Sequence, residues 1–160
     1  MIRDITPMDL PTVLALNNAA VPHVNLLSLA DLTRIAEGTA YFRAAVTDRT
    51  LLGFLAAFLP GAAYESENYR WFETRYDDFV YIDRIVVAPE ASGKGVARRL
   101  YNDLESAMRD RVEAMTCEVN IRPPNPGSVE MHRRFGFREV GQQETGGGAK
   151  RVSLLRKTIR

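Results

Sequence analysis

Residues 85–97 read Ile-Val-Val-Ala-Pro-Glu-Ala-Ser-Gly-Lys-Gly-Val-Ala, and no other stretch of the chain is as informative. The apolar run through Val87 predicts a buried strand that ends at Pro89, and the apolar spacing after the glycines predicts a helix. The first turn of a helix has backbone N–H groups without a partner and a positive dipole end. Because Gly93 and Gly95 let an anion approach that backbone closely, the stretch predicts a phosphate-binding loop.

Two common phosphate-binding motifs do not fit this loop. A nucleoside triphosphatase loop needs a serine or threonine after Gly-Lys, but Gly95 follows Gly93-Lys94, and Ala88 replaces the first glycine. A dinucleotide fingerprint needs a third glycine where Arg98 stands, and it follows the first strand of its domain, whereas this loop lies in mid-chain. The sequence therefore argues against a nucleotide hydrolase and against a dinucleotide-binding enzyme.

Length and composition indicate one α/β domain over residues 1–160. With 21 Lys and Arg against 20 Asp and Glu, no net charge favours nucleic acid or an anionic membrane surface. No apolar run approaches the ~20 residues of a membrane span, and no secretory signal pattern is visible, so we expect a cytoplasmic protein without nucleic-acid or membrane partners. One cysteine and two histidines predict no metal site.

The order of elements follows from hydrophobic periodicity. Strands are predicted over residues 2–5, 41–46, 51–59, 79–87, 115–120, 137–140 and 151–155. Helices are predicted over residues 7–17, 28–36, 96–111 and 125–135. Residues 60–77 are interpreted as an aromatic and charged connection. The resulting order is β-α-α-β-β-β-α-β-α-β-β.

This order and two motifs resemble the GNAT superfamily of N-acetyltransferases. The family's Arg/Gln-x-x-Gly-x-Gly/Ala loop appears as Ser92-Gly93-Lys94-Gly95-Val96-Ala97, and its Asn-x-x-Ala/Ser-x-x-x-Tyr-x-x-x-Gly-Phe signature appears over residues 125–137. Two positions depart from the pattern, because Ser92 replaces the arginine or glutamine and His132 replaces the tyrosine. The resemblance implies the GNAT-like acyl-CoA N-acyltransferase fold, an α/β fold with a mixed sheet and splayed central strands.

The resemblance also implies acetyl-CoA as the acyl donor. Its pantetheine arm would pair with the strand that ends at Val87, as an added strand does, and its pyrophosphate would meet the glycine loop. The implied contacts are Ile85, Val86, Val87, Gly93, Lys94, Gly95, Val96, Ala97, Arg98, Asn125 and Ser128. For the glycines an ordinary tight turn is the alternative, and for Lys94 and Arg98 a solvated side chain. Asn125 is open to capping its helix, to contacting the arm, or to both.

Three side chains are candidates for proton transfer. His132 would protonate the departing thiolate, or it is a half-buried residue without a chemical role. Asp83 interrupts an apolar strand and is the leading candidate for the base that deprotonates the amine, with a salt bridge to Arg84 as the alternative. Glu118, on the neighbouring strand, is the second candidate. Direct attack by the amine in a ternary complex is expected.

The acceptor is the least determined part of the prediction. It would be a primary amine of a small molecule or a peptide, and a homodimer is left open. Candidate acceptor contacts are Asn17, Asn18, His23, Trp71 and Tyr81. The aromatic residues of 64–73 would either wall the acceptor pocket or form a satellite core. A non-catalytic acyl-CoA sensor is the competing function, because the change from tyrosine to His132 affects the usual acid.

Overall fold

The computed structural model describes residues 1–160 as seven strands and five helices, with short 3₁₀ turns between some of them. The strands are β1 Ile2–Asp4, β2 Tyr41–Thr47, β3 Thr50–Phe58, β4 Phe79–Val87, β5 Ala114–Arg122, β6 Arg138–Thr145 and β7 Lys150–Thr158. The helices are α1 Leu10–Ala19, α2 Leu29–Gly38, α3 Glu67–Glu73, α4 Val96–Met108 and α5 Pro126–Arg134. The predicted order is confirmed, with α3 as an addition. No helix combines the length and the apolar character of a membrane span.

All seven strands form one mixed sheet in the order β1-β2-β3-β4-β5-β7-β6. Every neighbouring pair is antiparallel except β4 and β5, which run parallel and pair only from Phe79–Tyr81 to Ala114–Thr116. β3 continues to pair with β4 as far as Val87, and β7 with β5 as far as Arg122. Beyond their first three residues β4 and β5 therefore separate, which confirms the predicted splay of the central strands.

Helix α4 covers one face of the sheet beside this splay. Val96, Leu100, Leu104 and Met108 are buried at four-residue spacing, which places them on one side of the helix. They join a core with residues of β2, β3, β4 and β5. The start of α4 is thereby fixed at the end of β4, where the sequence predicted a phosphate-binding loop.

Helix α3 corrects the prediction of an irregular connection over residues 60–77. Ser66 caps it by accepting a hydrogen bond from the Tyr69 N–H group at 3.2 Å. Tyr69 and Phe72 are fully buried and pack against the rings of Phe79 and Tyr81 on β4. Most of the aromatic residues in this segment thus belong to a satellite core rather than to a pocket wall.

Candidate active site

The gap between the splayed strands opens into a cleft of about 560 Å³. One wall is formed by residues 82–87 of β4 and the other by residues 117–120 of β5. Helix α5, the loop between α1 and α2, and residues 64–68 close its sides. Along the edge of β4 that faces this cleft, backbone N–H and C=O groups have no neighbouring strand.

A second cavity of about 660 Å³ adjoins the first, and Val87 lines both. It lies between the glycine loop and helix α5. Gly93 and Gly95 both have φ of +76°, a left-handed conformation that favours glycine, and a Cβ atom at either would meet only open space. The loop is therefore shaped by backbone conformation and leaves room for a ligand against it.

The start of α4 presents unpaired donors to this second cavity. The first intrahelical bond runs from the Arg99 N–H group to the Gly95 carbonyl at 3.1 Å, so the N–H groups of Val96, Ala97 and Arg98 lack a partner within the helix. The predicted donor Lys94 differs, because its N–H group bonds to the Ala91 carbonyl at 3.3 Å and it does not line the cavity. The unpaired N–H groups at this cavity thus belong to the first turn of α4, beside Gly93 and Gly95.

Helix α5 brings Asn125 and Ser128 to the first cleft. The Asn125 side-chain oxygen accepts a hydrogen bond from the Ser128 N–H group at 3.4 Å and caps the helix. The amide nitrogen of Asn125 makes no hydrogen bond within the chain, so it is free to donate to a molecule in the cleft. The two roles predicted for Asn125, as a helix cap and as a contact to the pantetheine arm, are therefore compatible with each other.

His132 is buried at the junction of α5 and α4, with a 3% exposed surface. Its Nδ1 atom lies 2.7 Å from the Ser128 carbonyl, which only accepts, so Nδ1 carries the hydrogen. Nε2 then accepts from the Tyr101 hydroxyl at 2.6 Å in the neutral ring. Burial lowers the pKa of His132, and the bond to the Ser128 carbonyl only partly opposes this. The neutral imidazole has no N–H group left for a thiolate.

Tyr101 is the residue that sequence reasoning missed. It lines the cleft from α4, as His132 does from α5, and its hydroxyl bonds to His132 Nε2. Burial raises the pKa of Tyr101 well above its usual value, so the hydroxyl keeps its proton. A signal was available, because Tyr101 is the one hydroxyl-bearing residue on the otherwise aliphatic buried face of α4.

The two candidate carboxylates occupy different environments in the cleft. Asp83 accepts from the Tyr64 hydroxyl at 2.5 Å and forms a 2.7 Å ion pair with Arg84, which is the structural alternative noted for it. Glu118 accepts from the Tyr81 hydroxyl, at 2.9 and 2.8 Å to its two oxygens. Burial raises the pKa of Glu118 to about 8, although the bond from Tyr81 lowers it. Glu118 is thus the carboxylate suited to exchange a proton near neutral pH.

Comparison with known families agrees with this geometry. Residues 12–137 match the model of the acetyltransferase (GNAT) family. The chain belongs to the GNAT family. The matched range contains the glycine loop, both splayed strands and helix α5.

Individual relatives of this GNAT protein are distant. Phosphinothricin N-acetyltransferase of Streptomyces coelicolor is 39% identical over 57 residues, which is 36% of this chain and 33% of that protein. The match thus spans a third of the relative's length. Ard1 from Thermoplasma volcanium has a TM-score of 0.82 at 13% identity, with 100% of this chain and 97% of that chain covered. The GNAT-like decarboxylase GphF, solved with isobutyryl-CoA, has a TM-score of 0.79 at 15% identity and full coverage of both chains. These structures establish the fold.

The acceptor contacts predicted for this GNAT protein need correction. Only His23 lines the cleft. Asn17 is fully buried and Asn18 bonds to the backbone of Leu27, so both are structural. Trp71 lies outside the cleft, against Gly141 and beneath the Arg75 guanidinium. The physical reason is that helix α3 turns its tryptophan toward β6.

Tyr81 also lies outside the cleft, although it shares a strand with cleft residues. It is fully buried, and its hydroxyl reaches Glu118 alone. Burial and the nearby Glu118 carboxylate raise the pKa of Tyr81. Tyr81 therefore holds Glu118 and does not contact the acceptor.

Proposed function

We propose that this GNAT protein transfers an acetyl group from acetyl-CoA to a primary amine of a small molecule or a peptide, by direct attack in a ternary complex. The observation that carries the proposal is that two cavities meet at Val87. One runs along a free anion seat at the start of α4, and the other along an unpaired strand edge to Glu118. An extended thiol cofactor with a diphosphate has this combination of charge and length.

The residues present fit acetyl-CoA in three places. The N–H groups of Gly93, Gly95 and the first turn of α4 would hold the pyrophosphate. The free edge of residues 82–87 would pair with the amides of the pantetheine arm, and the Asn125 amide would add a donor. Arg98 lines the second cavity and would add a positive charge beside the phosphates. The cofactor supplies the activated acyl thioester.

The chemistry requires removal of two protons from the acceptor nitrogen and delivery of one proton to the sulfur. Glu118 takes a proton from the acceptor ammonium, directly or through a water molecule, and the free amine attacks the carbonyl carbon. A C–N bond forms, the nitrogen loses its second proton, and the C–S bond breaks with its electron pair going to the sulfur. The Tyr101 hydroxyl, which His132 orients, turns its hydrogen from His132 Nε2 to the sulfur and protonates it, and the second proton lost by the nitrogen restores the hydroxyl. The general acid of the proposed mechanism is therefore Tyr101 on α4, and His132 is its hydrogen-bond partner.

The test is turnover of acetyl-CoA with a panel of amines, followed by release of free thiol. The panel includes amino acids with phosphinate or carboxylate groups, because the name of one relative includes phosphinothricin, together with diamines and peptides with a free N-terminus. We expect thiol release with at least one class of amine. If calorimetry shows clear CoA binding but no amine releases thiol, the proposal fails in favour of the acyl-CoA sensor.

Two smaller expectations accompany this function. The cytoplasm, where acetyl-CoA and amines meet, is proposed as the location, and cell fractionation would test it. A homodimer is proposed as the alternative to a monomer, and light scattering on the purified protein would distinguish the two.

A further inference from the structure

A chain of buried polar side chains connects the cleft to the loop between α1 and α2. It begins at Asp83, which lines the cleft and pairs with Arg84 at 2.7 Å. Arg84, with 7% of its surface exposed, donates to the Asn17 side-chain oxygen at 2.9 Å. Asn17 is fully buried and donates in turn to the Asn25 carbonyl at 3.0 Å. Four polar groups thus run in line from β4 to the backbone of that loop.

Asn18 fixes the same loop at a second point. Its side-chain oxygen accepts from the Leu27 N–H group, and its amide donates to the Leu27 carbonyl, both at 3.0 Å. Asn18 also accepts from the Asn17 amide at 3.0 Å, so the two asparagines act together. We call residues 20–28 the acceptor loop. Its residues His23, Val24 and Asn25 line the cleft.

Stability alone does not explain this arrangement. Transfer of an arginine and a carboxylate into the interior costs desolvation that their attraction often only balances, and apolar side chains of similar size pack as well. Buried polar groups of this kind are best attested as devices that fix one arrangement among several. Here the arrangement that they fix is the distance between β4 and the acceptor loop.

We propose that Asn17, Asn18 and Arg84 are positioning residues that hold the acceptor loop over the cleft and thereby set the affinity for the amine. The inference rests on the proposed function for its kinetic consequence, and on the hydrogen bonds alone for its structural part. None of the three residues needs to contact the amine. This differs from the direct substrate contact that the sequence predicted for Asn17 and Asn18.

The structural part is tested by hydrogen exchange of backbone amides in the purified full chain. Asn18→Ala removes both bonds to Leu27. We therefore expect the backbone amide of Leu27 to exchange at least about tenfold faster, with sheet amides unchanged. Asn18→Asp keeps an acceptor for that N–H group, so its exchange is expected to stay slower than in Asn18→Ala. Thr33→Ala, which removes one exposed bond within α2, is the matched control and should leave Leu27 unchanged. Unchanged exchange in Asn18→Ala overturns the proposal.

The kinetic part uses the same variants with the best amine found. We expect Asn18→Ala to raise the KM for the amine about tenfold, while kcat and the Kd for CoA stay within about twofold of the parent. A merely structural role would instead lower kcat, CoA affinity and Tm together, and that result overturns the proposal. An unchanged KM with a loosened loop also overturns it. If the parent chain binds CoA but acetylates no amine, the proposed function fails. Hydrogen exchange alone then decides whether these side chains hold the acceptor loop.

Discussion

At the scale of single residues, the environment of Glu118 determines how activity should depend on pH. Its half-buried carboxylate lies between the splayed strands and accepts from the Tyr81 hydroxyl, and its pKa is raised to about 8, mainly by desolvation. A base works in its deprotonated form. The rate should therefore rise as pH increases through about 8 and level off above it.

We predict that this rise of kcat with pH, the basic limb of the profile, reports the ionisation of a protein group rather than of the acceptor amine. Its midpoint should stay near pH 8 for amines of different pKa. Glu118→Gln, which cannot take a proton, should remove the limb and lower kcat by roughly 10²–10⁴-fold. Asp83→Asn is the comparison, because the ion pair of Asp83 with Arg84 makes it a structural carboxylate. The rise of kcat with pH should persist in this variant, but at a lower pH, because the Asp83 charge helps to raise the pKa of Glu118. Loss of the limb in Asp83→Asn with retention in Glu118→Gln would reverse the two assignments.

The pair of Tyr101 and His132 makes a second prediction at this scale. Tyr101→Phe removes the proposed acid and should lower kcat by roughly 10²-fold, with the Kd for CoA within about twofold. His132→Ala should lower kcat more than it weakens CoA binding. Because both residues serve one proton path, the double variant should be little slower than Tyr101→Phe alone. Multiplicative losses, measured by pre-steady-state turnover, would show that the two residues act separately.

The sequence identified the carboxylates and the histidine but not how they are paired. A carboxylate in an apolar strand indicates a partner or a function, and the period of a strand cannot say which. Asp83 pairs with the arginine next to it in sequence, whereas Glu118 accepts a hydrogen bond from a tyrosine 37 residues away. Tyr101 was hidden because a tyrosine on a buried helix face is also ordinary core.

At the scale of elements, the turn before α4 combines a conformational and a steric requirement. Gly95 has φ of +76°, and a side chain there would project into the open cavity. Gly61, in a turn before α3, has φ of +85° and equally open surroundings. The two glycines therefore carry a similar backbone strain on substitution, although only Gly95 lines the proposed pyrophosphate cavity.

We predict that Gly95→Trp weakens CoA binding by more than about 100-fold, because its ring fills the seat for the diphosphate. Gly61→Trp is the matched control and should leave CoA affinity unchanged. Both variants should lose similar amounts of stability, about 1–2 kcal/mol, from the left-handed conformation. Calorimetric titration with CoA and thermal unfolding measure the two effects. Unaltered affinity in Gly95→Trp would remove the loop from the cofactor site.

Elements with a strong hydrophobic period were predictable, and α3 was not. Helix α4 repeats its apolar residues every four positions over 13 residues, which no strand does. Helix α3 has only seven residues, about two turns, which is too short for a period to emerge. Its cap at Ser66 and the acidic Glu67 in its first turn were the available signals, and neither is specific alone.

At the scale of the whole molecule, the decisive feature is the parallel contact between two otherwise antiparallel halves of the sheet. Strands β1 to β4 form one half and β5 to β7 the other, joined at only three residue pairs. Periodicity predicts strands but not which of them separate, so the splay followed from the resemblance alone. Neither periodicity nor the resemblance predicts how the acceptor loop is held. Its position depends on contacts such as that between Arg84 and Asn17, which are 67 residues apart.

This division of the sheet predicts where cofactor binding should be visible. CoA that occupies the gap would act as a partner strand for residues 82–87, so backbone amides there that do not bond to β3 should become protected from hydrogen exchange. Amides of β5 that already bond to β7 should change little and are the internal control. Binding at 100 times the Kd should also stabilise the fold by about 2.7 kcal/mol, seen as a rise in Tm. Protection confined to β6, at the outer edge of the sheet, would place the cofactor elsewhere.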